Sequence, residues 1–139
     1  MDNDTMKITA VAPDWEGMVS NLRRQGTPLR VFYFEHGIAD NVMDDYIDDV
    51  KIDGKHSFED VILPVTGAKA QYGDRLTLLG GVDVDLLARS GEADIRRRTR
   101  EILNVCMPGG GYFLGLGNWV TEYIPTRNYL VMLDEARRI

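Results

Sequence analysis

Acidic, imidazole and amide side chains follow three predicted strands in this chain of 139 residues. Glu35 ends an apolar and aromatic run at 29–35. Asp83 follows a second apolar run at 76–79, and a third run occupies 112–116. The carboxyl ends of parallel strands meet at one edge of a sheet, where α/β proteins bind their ligands. Glu35 or Asp83 can act as a general acid or base there if water is excluded and the pKa of the carboxyl group shifts. The residues expected to bind a ligand beside them are His36, Gly80, Gly81, Asn118 and Trp119.

These residues also have a purely structural interpretation. Asp83 can cap the turn that follows it, and Glu35 can be a solvated residue at the rim. Gly80 and Gly81 can serve only to let the backbone turn. The residue types alone leave both interpretations open.

The runs at 76–79 and 112–116 have the character of strands that are buried on both faces. Strands of a parallel sheet covered by helices have no solvent face, so apolar and polar residues do not alternate along them. A predicted helix from about Gly91 to Cys106 separates the two runs. Strand, helix and strand at this spacing predict an α/β fold.

Three further helices are predicted from apolar periodicity and from end signals. Asp14 can cap the first of them, and Pro125 suits the first turn of the last. Another begins at about Asp40. The positions expected to face the interior are Trp15, Met18, Val19 and Leu22 in the first helix, Val42, Met43, Tyr46, Ile47 and Val50 in the second, and Tyr129, Leu130, Met132, Leu133 and Ala136 in the last.

The middle of the chain carries mixed signals. Asp53-Gly54 is typical of a hairpin turn, and His56 falls in a polar stretch expected to be an exposed loop. The apolar run at 61–65 predicts a strand, which Pro64 moves to an edge or an end of the sheet. Residues 68–72 predict a helical turn.

The charge balance disfavours a nucleic-acid partner. The chain has 16 Lys and Arg against 22 Asp and Glu and a net charge of -6, whereas nucleic-acid binders present a basic face. Its arginines cluster in the helix predicted after Gly91, where the apolar residues lie on one side, so they predict a solvated helix face. These arginines are Arg96, Arg97, Arg98 and Arg100.

Length and composition predict one globular domain. With 44% hydrophobic and 27% charged residues, we expect a flexible tail at 1–13 and a single domain at 14–139. The apolar runs are far shorter than the roughly 20 residues that span a bilayer, and the acidic amino terminus lacks a signal pattern. Cys106 is the single cysteine, which excludes an internal disulfide and fits a reducing compartment. The expected location is the cytoplasm.

Two stretches resemble the uroporphyrinogen decarboxylase superfamily, which also includes corrinoid-dependent methyltransferases and demethylases. They are YGDRLTLLGGVDVDLL with the helix after it, and PGGGYFLGLGNW with the last helix. The opening, MVSNLRRQG and then TPLRVFYFEHGIADNVMDDY, is similar to the family's first helix, first strand and following helix. The resemblance covers residues 14–50 and 66–139. It implies a domain of this family, lyase or methyltransferase chemistry, and a ligand that is a small carboxylate or is related to tetrapyrroles (porphyrins) or corrinoids.

The chain departs from the family where its enzymes carry their reactive groups. Asn118 stands where the decarboxylases commonly have a histidine, and an amide cannot replace an imidazole in proton transfer. The loop EHGIAD lacks the arginines that hold substrate carboxylates. His36, His56 and Cys106 lack the spacing of the zinc ligands, so we expect no metal site of that type and no cofactor. The resemblance therefore implies ancestry more strongly than decarboxylation.

The middle of the family's barrel has no counterpart in this chain. A barrel of eight strands usually takes about 250 residues, and only residues 51–66 lie between Val50 and Gly67. The retained pieces imply half of a TIM barrel, a parallel sheet with helices on its outer face. Such a half exposes two strand edges, which predicts a homodimer that closes the sheet or covers its open face.

Two classes of function remain open at this point. One is an enzyme of the superfamily, active as an oligomer, with its pocket at the carboxyl ends of the strands. The other is a non-catalytic binding or interaction module that forms a homodimer. Neither class involves a membrane or a nucleic acid.

Overall fold

The computed structural model describes residues 14–28, 32 and 34–139, and their strands form one parallel sheet. The strands are β1 (Phe34–Glu35), β2 (Gly54–His56), β3 (Thr77–Leu79) and β4 (Tyr112–Phe113). Their order in the sheet is their order in the chain, β1-β2-β3-β4. An isolated parallel bridge from Val82 to Leu116 extends the pairing beyond β3 and β4.

Helices connect the strands and cover the sheet. They are α1 (Trp15–Leu22), α2 (Met43–Asp45, between a 3-10 turn at Asp40–Val42 and a π turn at Tyr46–Val50), α3 (Val65–Tyr72), α4 (Val84–Arg89), α5 (Glu92–Cys106) and α6 (Thr126–Ala136). The carboxylate of Asp14 caps α1 by accepting a hydrogen bond of 2.8 Å from the Gly17 backbone N–H. Pro125 is the residue before α6, where a missing N–H leaves no hydrogen bond unmade.

The α/β architecture predicted from the sequence is confirmed as a parallel sheet with helices. The run at 76–79 contains β3, and the run at 112–116 contains β4 and the bridging Leu116. The expected tail at 1–13 and residues 29–31 and 33 of the first predicted strand lie outside the described residues. Within the described part, no helix is long and apolar enough to cross a membrane.

The two faces of the sheet have different surroundings. Successive side chains of a strand point to opposite faces, so Leu78 and its register partner Tyr112 share one face, while Thr77 and Leu79 lie on the other. Tyr112 packs against the core cluster that contains the α5 residues Ile95, Ile102 and Cys106, so we call its side the α5 face. The opposite side borders α1, and we call it the α1 face. The core lies on the α5 face, where the fully buried Leu78 belongs to one cluster with residues of α3, α5 and α6.

Two predictions for the middle of the chain are wrong. Asp53-Gly54 is not a hairpin turn, because Gly54 begins β2, which pairs in parallel with both β1 and β3. The run at 61–65 is not a strand, because Val61 lies in an exposed turn and Val65 begins α3. At the start of a helix the backbone N–H groups have no partner within the helix, so the N–H that proline lacks is not missed there. Pro64 therefore suits the start of α3. The helical turn predicted at 68–72 is confirmed as part of α3.

Several side chains have surroundings different from those predicted. His56 is a half-buried residue of β2 rather than part of an exposed polar loop. Four apolar positions expected in the interior are exposed. One of them, Val50, ends the π turn after α2, which changes the helical repeat and therefore the direction of this side chain. These four are Val19, Leu22, Val50 and Leu130.

Ion pairs join α5 to α6. Arg96 Nη1 donates to Asp134 Oδ2 at 2.7 Å and to Glu135 Oε2 at 3.2 Å. Glu135 has a side chain only 2% exposed, and it also accepts hydrogen bonds from Arg100. The pKa of Glu135 is lowered, first by the hydrogen bond from Arg100 and then by Arg96, against burial. The solvated face predicted from the arginine cluster is therefore wrong for Arg96 and Arg98, whose side chains are 19% and 21% exposed.

Candidate functional site

Three rings meet at the carboxyl ends of the strands. His36 follows β1, His56 ends β2, and Trp119 lies in the loop after β4. The ring centroids of His36 and His56 are 5.0 Å apart, and those of His36 and Trp119 are 5.7 Å apart. Both separations and tilted orientations are those of packed aromatic pairs. We call these three residues the ring cluster. Two of them, His36 and Trp119, are predicted binding residues that the structure brings into contact.

His56 is the ring of this cluster with an unsatisfied nitrogen. Its Nδ1 is buried without a hydrogen-bond partner among the described residues. Burial lowers the pKa of His56, electrostatic repulsion by His36 and Lys55 lowers it further, and a hydrogen bond to the backbone of Leu116 opposes them. The lowered pKa favours the neutral imidazole, which has one donor and one acceptor nitrogen. Because the hydrogen bond to Leu116 uses the donor, Nδ1 is left as a free acceptor.

Gly80 and Gly81 allow the chain to pass close to the site. Their φ angles are +94° and +101°, in the left-handed region that favours glycine. A Cβ on Gly80 would lie 2.2 Å from the Leu116 carbonyl oxygen, and one on Gly81 would lie 2.4 Å from the Val65 side chain. Both glycines are buried by protein atoms. Ligand contact with them stays a prediction.

Glu35 lies on the other side of the sheet from His56. It is in register with Lys55 on β2, and Lys55 is in register with Leu78 on the α5 face. His56 is in register with Leu79, which belongs to the α1 face. The structure therefore does not bring the Glu35 carboxylate into the ring cluster. Its role as an acid or base stays a prediction.

Asp83 caps α4. Its Oδ1 accepts hydrogen bonds from the backbone N–H groups of Asp85 at 2.6 Å and Leu86 at 3.2 Å. The structural interpretation of the sequence accounts for these contacts without a ligand. Asp83 also lines a cleft beside the ring cluster, so a contact with a ligand stays a prediction.

Asn118 connects two loops at the rim. Its Nδ2 donates to Glu59 Oε1 at 2.8 Å, and its Oδ1 accepts from the Trp119 backbone N–H at 2.8 Å. Both ends of the amide are therefore engaged within the protein. The arrangement holds the loop after β4 against the loop after β2, and so fixes the backbone that carries Trp119.

A cleft of ≈ 910 Å³ opens between these loops and α4. Trp119 belongs to its wall and to the ring cluster, so the cleft and the cluster are adjacent. The size falls within the range of small-molecule sites. Carboxylates dominate the charged groups of the lining, which are Glu59, Asp60, Asp83, Asp85 and Arg89.

Sequence reasoning missed two residues of this site. His56 and Glu59 reach the rim because β2 inserts between β1 and β3. The available signal was weak, since β2 contains a glycine, a lysine and a histidine and no apolar run. The signal that the sequence did contain is a glycine, a histidine and an acidic residue in close succession, Gly54, His56 and Glu59.

Of the three residues compared with the family's zinc ligands, Cys106 lies apart from His36 and His56, which pack together in the ring cluster. Cys106 is buried on the α5 face, where burial raises the pKa of its thiol, whereas His56 lies on the α1 face. In the described residues, no group of three or more His, Cys, Asp or Glu side chains is arranged to hold a metal ion. Among the described residues, the two imidazoles of the ring cluster therefore have no third side chain of these types placed to share a metal ion with them.

Comparison with known proteins agrees with the resemblance in the sequence. The family model described as Uroporphyrinogen decarboxylase (URO-D) matches residues 9–139. No curated protein matches the chain. The family match includes residues 51–65, which the resemblance had left uncovered, and therefore also β2. The chain belongs to the uroporphyrinogen decarboxylase family.

Proposed function

We propose that this chain is a ligand-binding member of its family that takes a macrocyclic molecule related to tetrapyrroles or corrinoids at the carboxyl ends of its strands. The ring cluster carries the proposal. Trp119 is 71% exposed and offers an aromatic contact surface beside the imidazole of His36, which in turn packs on His56. The unpartnered Nδ1 of His56 is an acceptor at which a ligand N–H or O–H would gain a hydrogen bond.

The charge of the cleft selects among such ligands. Four of the five charged residues named in its lining are acidic. Asp85 is paired with Arg89 at 2.7 Å and Asp60 with Arg98 at 2.9 Å, whereas Glu59 and Asp83 have no ion pair among the described residues. A cleft lined by one sign of charge repels ligands of that sign. Neutral or cationic corrinoid-like molecules are therefore favoured over carboxylate-rich tetrapyrroles and over small carboxylates.

The positions of the two candidate carboxylates support binding over catalysis. The Asp83 side chain accepts hydrogen bonds from the first turn of α4, and Glu35 lies on the face of the sheet opposite to His56. A decarboxylase or methyltransferase reaction would need a proton donor or acceptor at the ring cluster. His56 is the candidate for that role if chemistry occurs.

Absorbance titration tests the ligand and its site. We expect cobinamide, a cationic corrinoid, to show a spectral shift on binding, and uroporphyrin I, which is rich in carboxylates, to bind at least tenfold more weakly. Trp119→Ala should weaken cobinamide binding roughly threefold to tenfold, since one aromatic contact is lost. Leu130→Ala, at another exposed apolar residue, is the matched control.

Three outcomes would contradict this proposal. If neither compound gave a spectral shift, the chain would not bind tetrapyrrole- or corrinoid-related ligands. Unchanged affinity in Trp119→Ala would place the ligand elsewhere. Tighter binding of uroporphyrin I would contradict the charge argument.

We propose self-association as a second function, with the chain acting as half of a TIM barrel completed by a second copy. In the described residues, β1 and β4 are the outer strands, and each is paired on one side only. Open edges and exposed apolar surface favour association. Exposed apolar side chains gather near the rim: Val61, Trp119, Val120 and Tyr123.

Light scattering across a concentration series tests this second candidate. A mass of twice 15.7 kDa that does not change with concentration would support a homodimer. Val61→Asp, at a residue 88% exposed, should then shift the mass toward that of one chain if the rim lies in the interface. A chain that stays monomeric at high concentration would rule out the homodimer.

A further inference from the structure

A second cavity lies on the α1 face of the sheet. Its volume is ≈ 300 Å³, and it shares no lining residue with the cleft at the rim. Its walls are mainly apolar and include Met18 and Leu22 from α1, and Leu79 and Phe113 from the sheet. This volume is about twice that of an engineered apolar cavity of about 150 Å³ that binds benzene. It therefore admits a molecule the size of a fused bicyclic ring.

One polar side chain in this apolar lining lacks a partner. Thr77 is 1% exposed, and its Oγ1 has no hydrogen-bond partner among the described residues. The residue in register with it on β2 is Gly54, which also lines the cavity and has no side chain to fill the space. Buried hydroxyl groups in proteins nearly always have a partner, so an exception in a cavity wall needs a reason.

We propose that this cavity is a binding site for a small neutral molecule that has an apolar ring body and one hydroxyl or carbonyl group hydrogen-bonded to Thr77 Oγ1. The apolar walls bury the body of the ligand, and the single hydroxyl fixes its orientation. A negatively charged ligand is disfavoured because Asp53 belongs to the same lining. This site is independent of any ligand at the ring cluster.

Two probes that differ by one hydroxyl group test the hydrogen bond. We expect 2-naphthol to bind more tightly than naphthalene, as measured by a titration that follows the fluorescence of the probe. Thr77→Val should weaken 2-naphthol binding roughly threefold to tenfold, the effect of one neutral hydrogen bond, and leave naphthalene binding unchanged. Thr77→Ser keeps the hydroxyl and should keep the preference for 2-naphthol.

The stability of Thr77→Val provides an independent readout. Because the hydroxyl has no protein partner, its removal should leave the melting temperature unchanged or raise it. A large fall in melting temperature would mean that the hydroxyl is bonded within the protein, which would overturn the proposal.

A pair of variants on α1 tests the location. Leu22 is 61% exposed and lines the cavity, so Leu22→Trp should fill its mouth without unfolding the chain and abolish binding of both probes. Val19 is on the same helix but outside the lining, and Val19→Trp should leave both affinities unchanged. Failure of both probes to bind, equal losses in the two tryptophan variants, or an unchanged 2-naphthol affinity in Thr77→Val would each overturn the proposal. None of these results depends on cobinamide, so this site and the rim site succeed or fail separately.

Discussion

The imidazole of His56 packs against the ring of His36 and lies beside the turn at Gly80, and its pKa is lowered from the usual 6.5. The unfolded chain therefore binds a proton at this residue at a higher pH than the folded chain does. The free energy of unfolding should fall as the pH drops through 6.5 toward the lower pKa of the folded state. The slope should stay below about 1.4 kcal/mol per pH unit, because one imidazole exchanges at most one proton and the partial exposure of the ring limits its pKa shift.

Urea unfolding between about pH 5.5 and 7.5 measures this dependence. In His56→Gln the slope in that interval should largely disappear. His36→Gln should only reduce it, because burial, the largest cause of the lowered pKa, remains. Equal slopes in the wild type and in His56→Gln would show that another group titrates there.

Among the elements at the rim, α4 depends most on a single side chain. It has 6 residues, which is short for a helix to be stable by itself, and Asp83 satisfies two of its first N–H groups. We expect Asp83→Ala to lower the free energy of unfolding by about 0.5–2 kcal/mol, and Asp83→Asn to lower it much less, since asparagine is also a good N-cap.

The charge and the cap of Asp83 can be separated with these two variants. Asp85→Ala removes an exposed carboxylate of the same helix and is the control for charge at the helix start. If Asp83→Asn keeps its stability and its affinity for cobinamide, the residue acts through the cap. A stable Asp83→Asn variant with altered binding would instead place its carboxylate against the ligand.

The elements with strong local signals were predictable from the sequence, and the weakly marked ones were not. The helix α5 has a continuous apolar stripe, and α6 has a proline at its start, so both were found near their true limits. The strand β2 has 3 residues, of which one is glycine and one is a buried lysine. Its pairing on both sides, rather than its own composition, makes it a strand, and no single sequence shows that pairing. Because β2 was not predicted, His56 was not included in the predicted site.

In the molecule as a whole, the position of the site was predictable but its contents were only partly so. The rule that ligands meet the carboxyl ends of parallel strands placed His36 and Trp119 at one rim, and they are in contact. The side of the sheet on which Glu35 lies depends on its register with Lys55, which a shift of one residue would reverse. Register comes from the packing of the complete sheet, so a local reading of the strand could not supply it.

The agreement between strand order and chain order also bears on how this protein folds. Each strand pairs with the one before it in the sequence, so every new strand completes contacts with chain that is already present. Pairing each strand with the one before it loses less loop entropy than pairing strands farther apart in the sequence would. The sheet can therefore grow one strand at a time from its amino-terminal edge while the chain is still emerging from the ribosome. On this route α6, which follows all four described strands in the chain, closes onto α5 and seals the core after the sheet has formed.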